Sequence, residues 1–148
     1  MERSLSILIP GQPHPKGRPR FSRRGNFVAT YTDAKTLAFE KLVAAHAQRT
    51  LPIRWELISD ECAVDLVFIF KRPKRLLRAK DPEGRIRHSK KPDLDNLCKS
   101  VCDGLDGVLY TDDSKITNLK ATKFFAAKNE DPKTIITVRY GGSPCLSW

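Results

Sequence analysis

The stretch Ala63-Val-Asp-Leu-Val-Phe-Ile-Phe70 is an almost unbroken apolar run in which Asp65 is the single polar residue. Its length and its β-branched and aromatic side chains are typical of a β-strand. Successive residues of a strand point to opposite faces of the sheet, and here apolar residues occupy both faces. We therefore predict a central strand that is covered on both sides.

The segments on either side of this strand predict a sheet with two main helices. Thr32 or Asp33 suits the N-cap of the first helix, which is expected to turn Leu37, Leu42 and Ala45 toward the core. The order of elements predicts an α/β or α+β fold, with one small domain over residues 1–148 and a mixed sheet of about four to five strands. The predicted elements are strands at 5–9, 26–31, 63–70, 115–125 and 134–140, and helices at 33–49 and 93–107.

The charge of the chain indicates a polyanionic partner. Lys and Arg number 27 against 17 Asp and Glu, which gives +10 at pH 7. Nucleic acid or an anionic membrane surface is the usual partner of such a protein. No apolar run approaches the roughly 18 residues that span a bilayer, and residues 5–9 are too short for a signal-peptide core. We therefore expect a cytoplasmic protein without a membrane partner.

The four cysteines fit a reducing compartment. Cys62, Cys98, Cys102 and Cys145 contain no C-x-x-C pair and lie in no Cys/His cluster, which argues against a zinc site or a redox pair. Free cysteine is among the most buried residue types. We predict buried, reduced thiols.

Two basic segments, 10–24 and 71–91, hold fifteen of the 27 cations. A charge run alone is as often a solvated surface, but these two accompany the most acidic motif of the chain. Lys and Arg that neutralise phosphates supply affinity independent of sequence, and Phe21 and Phe27 are placed to lie among the cations. The candidate DNA contacts are Lys16, Arg18, Arg20, Arg23, Arg24, Lys71, Arg72, Lys74, Arg75, Lys90 and Lys91.

The candidate chemistry lies in residues 90–99 and 110–114. At about 100° per residue, the second helix gathers an apolar stripe of Leu94, Leu97, Cys98, Val101, Leu105 and Val108, and it gathers Asp95, Lys99, Asp103 and Asp106 on the opposite side. Taken singly, these acids have structural interpretations: Asp93 as a helix cap, Asp95–Lys99 as an ion pair, and Asp112-Asp113 as turn residues.

A functional interpretation explains why acids concentrate inside a basic chain. Magnesium is usually held by one or two carboxylates together with phosphate oxygens of the substrate. Hydrolysis of a phosphodiester uses such a cation to polarise the phosphoryl group and to deprotonate a water. An acidic pocket repels DNA, so it needs the basic surroundings that this sequence provides.

The stretches Pro92-Asp-Leu-Asp-Asn-Leu-Cys-Lys99, Asp103-Gly-Leu and Asp112-Asp-Ser-Lys-Ile116 closely resemble the RusA family of Holliday junction resolvases. Residues 11–20 and Tyr31-Thr32 resemble the opening of its phage and prophage members. The resemblance covers residues 5–140 and implies a RusA-like fold.

This resemblance also implies a function. It points to a magnesium-dependent endonuclease that nicks four-way DNA junctions symmetrically as a homodimer, in recombination and repair. By the same resemblance, the metal-binding aspartates are Asp93, Asp95 and Asp113, and the active-site lysine is Lys99. Asp103 and Asp112 are possible supporting acids.

Segment 71–91 is longer than in the most compact members of the family, which leaves the DNA-contacting loop open. Two other functions also stay open: a non-catalytic nucleic-acid-binding module, and a small basic ribonuclease or toxin-like enzyme. The second usually works through histidine, but His14, His46 and His88 are scattered, and His88 is expected at the surface. The candidate dimer surfaces are the apolar segments 51–57 and 145–148.

Overall fold

The computed structural model describes residues 1–18 and 20–142, and for Arg20 it describes the backbone alone. They form one small α+β domain with a five-stranded mixed sheet and a separate two-stranded sheet. Single turns of 3-10 helix lie at Lys74–Leu76 and Asp113–Lys115. The main elements are β1 (Arg3–Pro10), β2 (Arg20–Arg24), β3 (Phe27–Tyr31), α1 (Ala34–Thr50), β4 (Cys62–Phe70), β5 (Ile86–Arg87), α2 (Leu94–Leu105), β6 (Ile116–Phe125) and β7 (Lys133–Tyr140).

Strand β4 lies at the centre of the large sheet, as its apolar run predicts. The strand order is β1-β7-β4-β6-β5. β4 runs antiparallel to β7 and parallel to β6, and a parallel neighbour requires a crossover connection. The basic loop 71–87 and α2 form that crossover, so the sheet places α2 next to the start of β6.

The predicted elements are confirmed, with three differences. Strand β2 occupies part of the basic segment 10–24, in which no strand or helix is predicted, and β5 was not predicted either. Asp33 is the N-cap of α1, and its carboxylate accepts a hydrogen bond from the Thr36 backbone N at 2.8 Å.

The predicted core face of α1 is wrong: Leu37 and Leu42 are exposed. The face that packs inward consists instead of Thr36, Phe39, Val43 and Ala47.

The two helices pack against each other at Gly104. A Cβ atom at this position would lie 2.9 Å from the Cβ of Val43 and 3.0 Å from the carbonyl oxygen of Glu40, both on α1. Contacts this short mean that only glycine lets the helices approach so closely. The core around this contact joins both helices to the sheet through residues that include Val43, Val101 and Leu66.

The cysteines behave as predicted within the described residues. Cys62, Cys98 and Cys102 are free and buried, and burial raises the pKa of each thiol to about 11 or 12. Cys145 lies outside the described residues. No helix in the described ranges is both long and apolar enough to cross a membrane.

Arg72 closes the basic loop instead of facing solvent. Its side chain is buried, and its guanidinium donates hydrogen bonds to the carbonyl oxygens of Leu76, Pro82 and Gly84 within the loop and of Ala126 after β6. Four of its five N–H donors are thus used within the protein, and its burial keeps it away from a phosphate at the surface. The prediction that Arg72 contacts DNA is therefore wrong, because the residue organises the loop that carries its neighbours.

His88 is also buried, so the prediction of a surface residue is wrong. Its ring stacks on Phe125 with centroids 4.0 Å apart and meets the edge of Phe70 at 4.9 Å. Its Nδ1 accepts a hydrogen bond from the Lys90 backbone N at 3.2 Å. Burial, with a smaller effect of Lys123, lowers the pKa of His88. The ring thus anchors the end of the basic loop to the sheet.

Glu130 fixes the other side of the same loop. Its carboxylate accepts hydrogen bonds from the Arg85 guanidinium at 2.6 and 3.0 Å and from the Ala127 backbone N at 3.1 Å, and Lys133 lies 3.4 Å away. The Arg85 hydrogen bonds, then the Ala127 hydrogen bond and the nearby cations, lower the pKa of Glu130 to about 2.

We expect Gly104→Ala to lower the free energy of unfolding by about 1–3 kcal/mol, the usual effect of overpacking a core. Gly84→Ala is the matched control, because a Cβ at Gly84 would meet nothing within 4 Å. Urea unfolding followed by circular dichroism measures both variants. Equal free energies of unfolding for Gly104→Ala and the wild type would show that the two helices can move apart without loss of stability.

We expect Glu130→Gln to lower the free energy of unfolding at pH 7 by about 1 kcal/mol, in the range of paired charges. The folded pKa of Glu130 lies below the unfolded value near 4.5, so the ionised carboxylate stabilises the fold above pH 4.5. This contribution is lost as the pH falls toward 2. The difference between wild type and variant should therefore shrink between pH 4.5 and pH 2.

Urea unfolding at a series of pH values measures that difference. Glu83→Gln is the control, because Glu83 lies in the same loop but its side chain is 79% exposed in its pair with Lys128. A pH-independent difference for Glu130→Gln would contradict the role of its charge.

Candidate active site

Helix α2 presents its predicted faces. Its apolar stripe lies in the core or packs against it, while Asp95 and Lys99 are exposed and Asp103 is half-buried. The helix ends at Leu105, so Asp106 occupies the C-cap position. Ser100 is buried on a third side, where its hydroxyl donates a hydrogen bond to the His14 carbonyl oxygen at 2.6 Å. The N-terminal segment, which joins β1 to β2, thus covers the side of α2 next to the acidic residues of that helix.

Three of the four predicted catalytic residues line one pocket. Asp95, Lys99 and Asp113 face a cavity of about 390 Å³. Its remaining wall is apolar and consists of Cys98, Cys102, Ile116 and Leu119. Asp95 and Lys99 come from α2, and Asp113 comes from the 3-10 turn that leads into β6.

The turn that carries Asp113 is fixed from within the core. Tyr110 is fully buried, and its hydroxyl donates a hydrogen bond to the Cys102 carbonyl oxygen at 2.7 Å. Ile58 exchanges backbone hydrogen bonds with Leu109 and Thr111 at 3.0 Å. Asp112 then accepts a hydrogen bond from the Ser114 backbone N at 3.1 Å. The Ser114 side chain, and then this backbone hydrogen bond, lower the pKa of Asp112. The turn interpretation of Asp112 is confirmed, and its effect is to position Asp113.

Lys99 lies between two carboxylates. Its Nζ is 3.0 Å from Oδ1 of Asp103 and 3.3 Å from Oδ2 of Asp113. The hydrogen bond with Asp103, followed by that with Asp113, raises the pKa of Lys99, so it carries a positive charge. The ion pair between Asp95 and Lys99 that the spacing allows does not form, and no cation among the described residues forms an ion pair with Asp95.

Three carboxylates gather next to this lysine. Oxygen atoms of Asp103, Asp106 and Asp113 lie within 4.8 Å of one another. Burial, and then the nearby charges of Asp113, Asp112 and Asp103, raise the pKa of Asp106. These donors are all oxygen atoms, which is the set that Mg²⁺ accepts. Sequence analysis left Asp106 out of the metal ligands, although its place on the acidic side of the helix was visible.

Lys16 connects the N-terminal segment to these acids. Its Nζ is 3.0 Å from Oδ2 of Asp103 and 2.5 Å from Oε1 of Glu40, and its backbone N donates to the Asn96 carbonyl oxygen at 2.9 Å. Burial opposes the charged form, but the two carboxylates leave the pKa of Lys16 above its usual value. Of the predicted DNA contacts, Lys16 is thus held at the acidic site itself.

Asp93 does not line the pocket in this conformation. It is the N-cap of α2, and its carboxylate is paired with Nζ of Lys91 at 2.6 Å, which lowers the pKa of Asp93. The segment before it is held by Lys123, whose Nζ donates to the carbonyl oxygens of Lys90 at 2.5 Å and Pro92 at 2.7 Å. Nothing in the sequence marks Lys123 as different from Lys120, the other lysine of β6.

Most of the other predicted DNA contacts are accessible. The side chains that the structure shows as exposed are those of Arg18, Arg23, Arg24, Lys71, Lys74, Arg75, Lys90 and Lys91. They lie in three parts of the chain: the N-terminal segment up to and including β2, the basic loop, and the residues just before α2. Positive charge of this kind attracts a phosphate backbone.

Comparisons with known proteins agree with these features. The chain matches the family model described as Endodeoxyribonuclease RusA over residues 10–139, a range that contains every residue of the pocket. It is also similar to the uncharacterized protein YqaN of Bacillus subtilis (strain 168), with 31% identity over 140 residues that cover 91% of this chain and 95% of that protein. The chain therefore belongs to the RusA family of endodeoxyribonucleases, which are hydrolases that cut within DNA strands.

Proposed function

We propose that this protein is a magnesium-dependent endonuclease that resolves four-way DNA junctions by paired, symmetrical nicks in recombination and repair. The observation that carries the proposal is the pocket of Asp95, Lys99 and Asp113 in a chain of the RusA family. A non-catalytic binding module would have no need for an acidic pocket on a protein of charge +10. A phosphodiesterase that binds a divalent cation needs both the acids and the surrounding cations.

Carboxylates of the pocket would hold the metal ion. Asp95 and Asp113 are proposed as ligands, and Asp95 suits this role because no described cation neutralises it. Asp93 is the third proposed ligand and would have to turn away from Lys91. Asp106 is a further candidate, since its oxygen lies within 4.8 Å of those of Asp113 and Asp103. A bound Mg²⁺ polarises the phosphoryl group and lowers the pKa of a water.

Lys99 would balance the negative charge that develops on the phosphate. It is charged and 55% exposed, and it is already held by two carboxylates at the pocket. A preorganised cation next to the reacting group stabilises charge without having to reorient. Asp103 would act as a positioning residue, because its two oxygen atoms hold Lys99 and Lys16 at 3.0 Å each.

A homodimer is proposed because the substrate has two strands to cut. A two-fold dimer presents two identical sites to a junction of matching symmetry. Segment 51–57 stays a candidate interface: Ile53 is 94% exposed and Leu57 is also exposed, while Trp55 anchors the segment by donating to the Leu109 carbonyl oxygen at 3.1 Å. The other candidate, 145–148, lies outside the described residues.

We expect Asp95→Asn or Asp113→Asn to reduce junction cutting by about a hundredfold or more, since a metal ion contributes several kcal/mol to the transition state. Junction binding should be kept or become tighter, because one negative charge is removed from a site that faces phosphate. A gel assay on a labelled four-way junction, with Mg²⁺ for cutting and with EDTA for binding, measures both. Asp131→Asn, an exposed acid in the β6–β7 connection, is the control.

Cutting at wild-type rate by Asp95→Asn would refute the metal assignment. Wild-type protein that binds junctions but does not cut them with Mg²⁺ would refute the proposed activity and favour the binding module. Cutting in EDTA would favour a metal-independent nuclease.

We expect removal of Lys74 and Arg75 together to flatten the slope of log affinity against log salt by about 0.9 per lost phosphate contact. Both side chains are exposed, so the stability should not change. Arg72→Ala is the informative comparison, because this variant removes one charge from the same segment, where the double variant removes two, and it breaks the four hydrogen bonds of a buried guanidinium. It should lower the melting temperature, which the double variant should not do. An unchanged salt slope in the double variant would show that the loop does not contact DNA.

A further inference from the structure

The β2–β3 hairpin exposes apolar side chains on both of its faces. Residues opposite each other in an antiparallel pair share a face, and the register pairs Arg24 with Phe27 and Arg23 with Val28. Phe21 therefore shares the face of Val28, and Phe27 lies on the other face. Phe27 is 80% exposed, Phe21 71% and Val28 63%. A surface ribbon usually packs one face on the core, so aromatic residues exposed on both faces indicate a binding partner.

The positive charge of the hairpin and of the residues before it indicates the class of that partner. No carboxylate occurs in the sequence between Glu2 and Asp33, whereas Lys16, Arg18, Arg20, Arg23 and Arg24 all lie there. An apolar protein surface would leave the exposed side chains of Arg18, Arg23 and Arg24 without a counter-charge. Nucleic acid with unstacked bases offers phosphates for the arginines and flat π faces for the phenylalanines.

The base of the hairpin is fixed next to the acidic site. The Gly17 backbone N donates to Oγ1 of Thr36 at 3.0 Å, and a Cβ at Gly17 would overlap the carboxylate of Asp33. Lys16, the preceding residue, is paired with Asp103. At the tip, Gly25 has φ +60°, as the first central residue of a type II′ hairpin turn requires. The segment that leads into the ribbon is therefore anchored at the acidic site by residues 16 and 17.

We propose that the β2–β3 hairpin binds unpaired or unstacked bases at the branch point, with Phe21 and Phe27 as stacking platforms. This inference rests on the proposed function and specifies its substrate class, since continuous duplex offers no free base faces. The hairpin would thus direct the nuclease to branched DNA, while the exposed arginines beside the aromatic rings hold the adjoining phosphates.

The test compares three DNA probes by fluorescence anisotropy in EDTA: a four-way junction, a duplex of equal arm length and a single-stranded thymidine oligonucleotide. Phe21→Ala with Phe27→Ala should weaken binding to the junction and to the single strand by about 5- to 150-fold for each lost stacked base. Binding to the duplex should stay within about twofold. Leu37→Ala is the matched control, because it removes a 42% exposed apolar side chain from α1.

Conservative variants separate stacking from general apolar contact. Phe27→Trp should keep the affinity for the single strand, and Phe27→Leu should lose it, because leucine has no π face. Wild-type affinity of the double alanine variant for all three probes would overturn the proposal, as would an equal loss on duplex and junction. A change of particle mass in light scattering would also overturn it and identify the hairpin as a self-association surface.

The result is independent of the cutting assay on wild-type protein. If wild type fails to cut junctions with Mg²⁺ but the double variant still loses single-strand binding, the proposed function fails and the hairpin assignment stands. If wild type cuts junctions and the double variant cuts and binds them equally well, the hairpin assignment fails and the function stands.

Discussion

The position of Lys99 between Asp103 and Asp113 is the contact on which the site depends. Carboxylates that share a small volume repel one another, and the ammonium group at 3.0 and 3.3 Å offsets this repulsion. The pair also joins α2 to the turn before β6, while Lys16 joins Asp103 to the N-terminal segment. Three separate parts of the chain thus converge through two lysines and two aspartates. A phosphate that enters the pocket meets cations and acids already in place.

The features that follow from local periodicity could be predicted from the sequence. The central strand β4 and the two faces of α2 depend on alternation and on the helical repeat, both of which are visible in the residues. The choice of partner for Lys99 could not be predicted, because Asp95 and Asp103 stand at the same spacing on either side of it. The competing acid, Asp113, comes from a turn whose position is set by the buried hydroxyl of Tyr110. That contact spans two elements and leaves no periodic signal.

Runs of like charge were the least informative part of the sequence. The sequence does not distinguish Arg72 from Arg75, yet the side chain of Arg72 is 5% exposed and that of Arg75 faces solvent. Which arginine turns inward depends on where the loop carbonyls converge after folding. Hairpin β2–β3 had a local signal in Gly25-Asn26, a common pair in tight turns, but its charged strand residues resemble those of a loop. The burial of His88 likewise depends on contacts of its ring with Phe70 of β4 and Phe125 of β6, which are distant from it in the sequence or not marked by any local pattern.

The closure of the basic loop by Arg72 also bears on how such chains diverge. Within the loop, the carbonyl oxygens that it binds belong to Leu76, Pro82 and Gly84, so residues 77–81 lie outside these contacts. Insertions or deletions there would alter the reach and charge of the loop and the hydrogen bond from Lys128 to the Arg78 carbonyl oxygen, but they would leave the hydrogen bonds of Arg72 in place. Loop length and arginine identity are therefore subject to different structural constraints. A change of length in residues 77–81 would thus reshape the exposed surface of the loop, whereas loss of the buried arginine would open the loop itself.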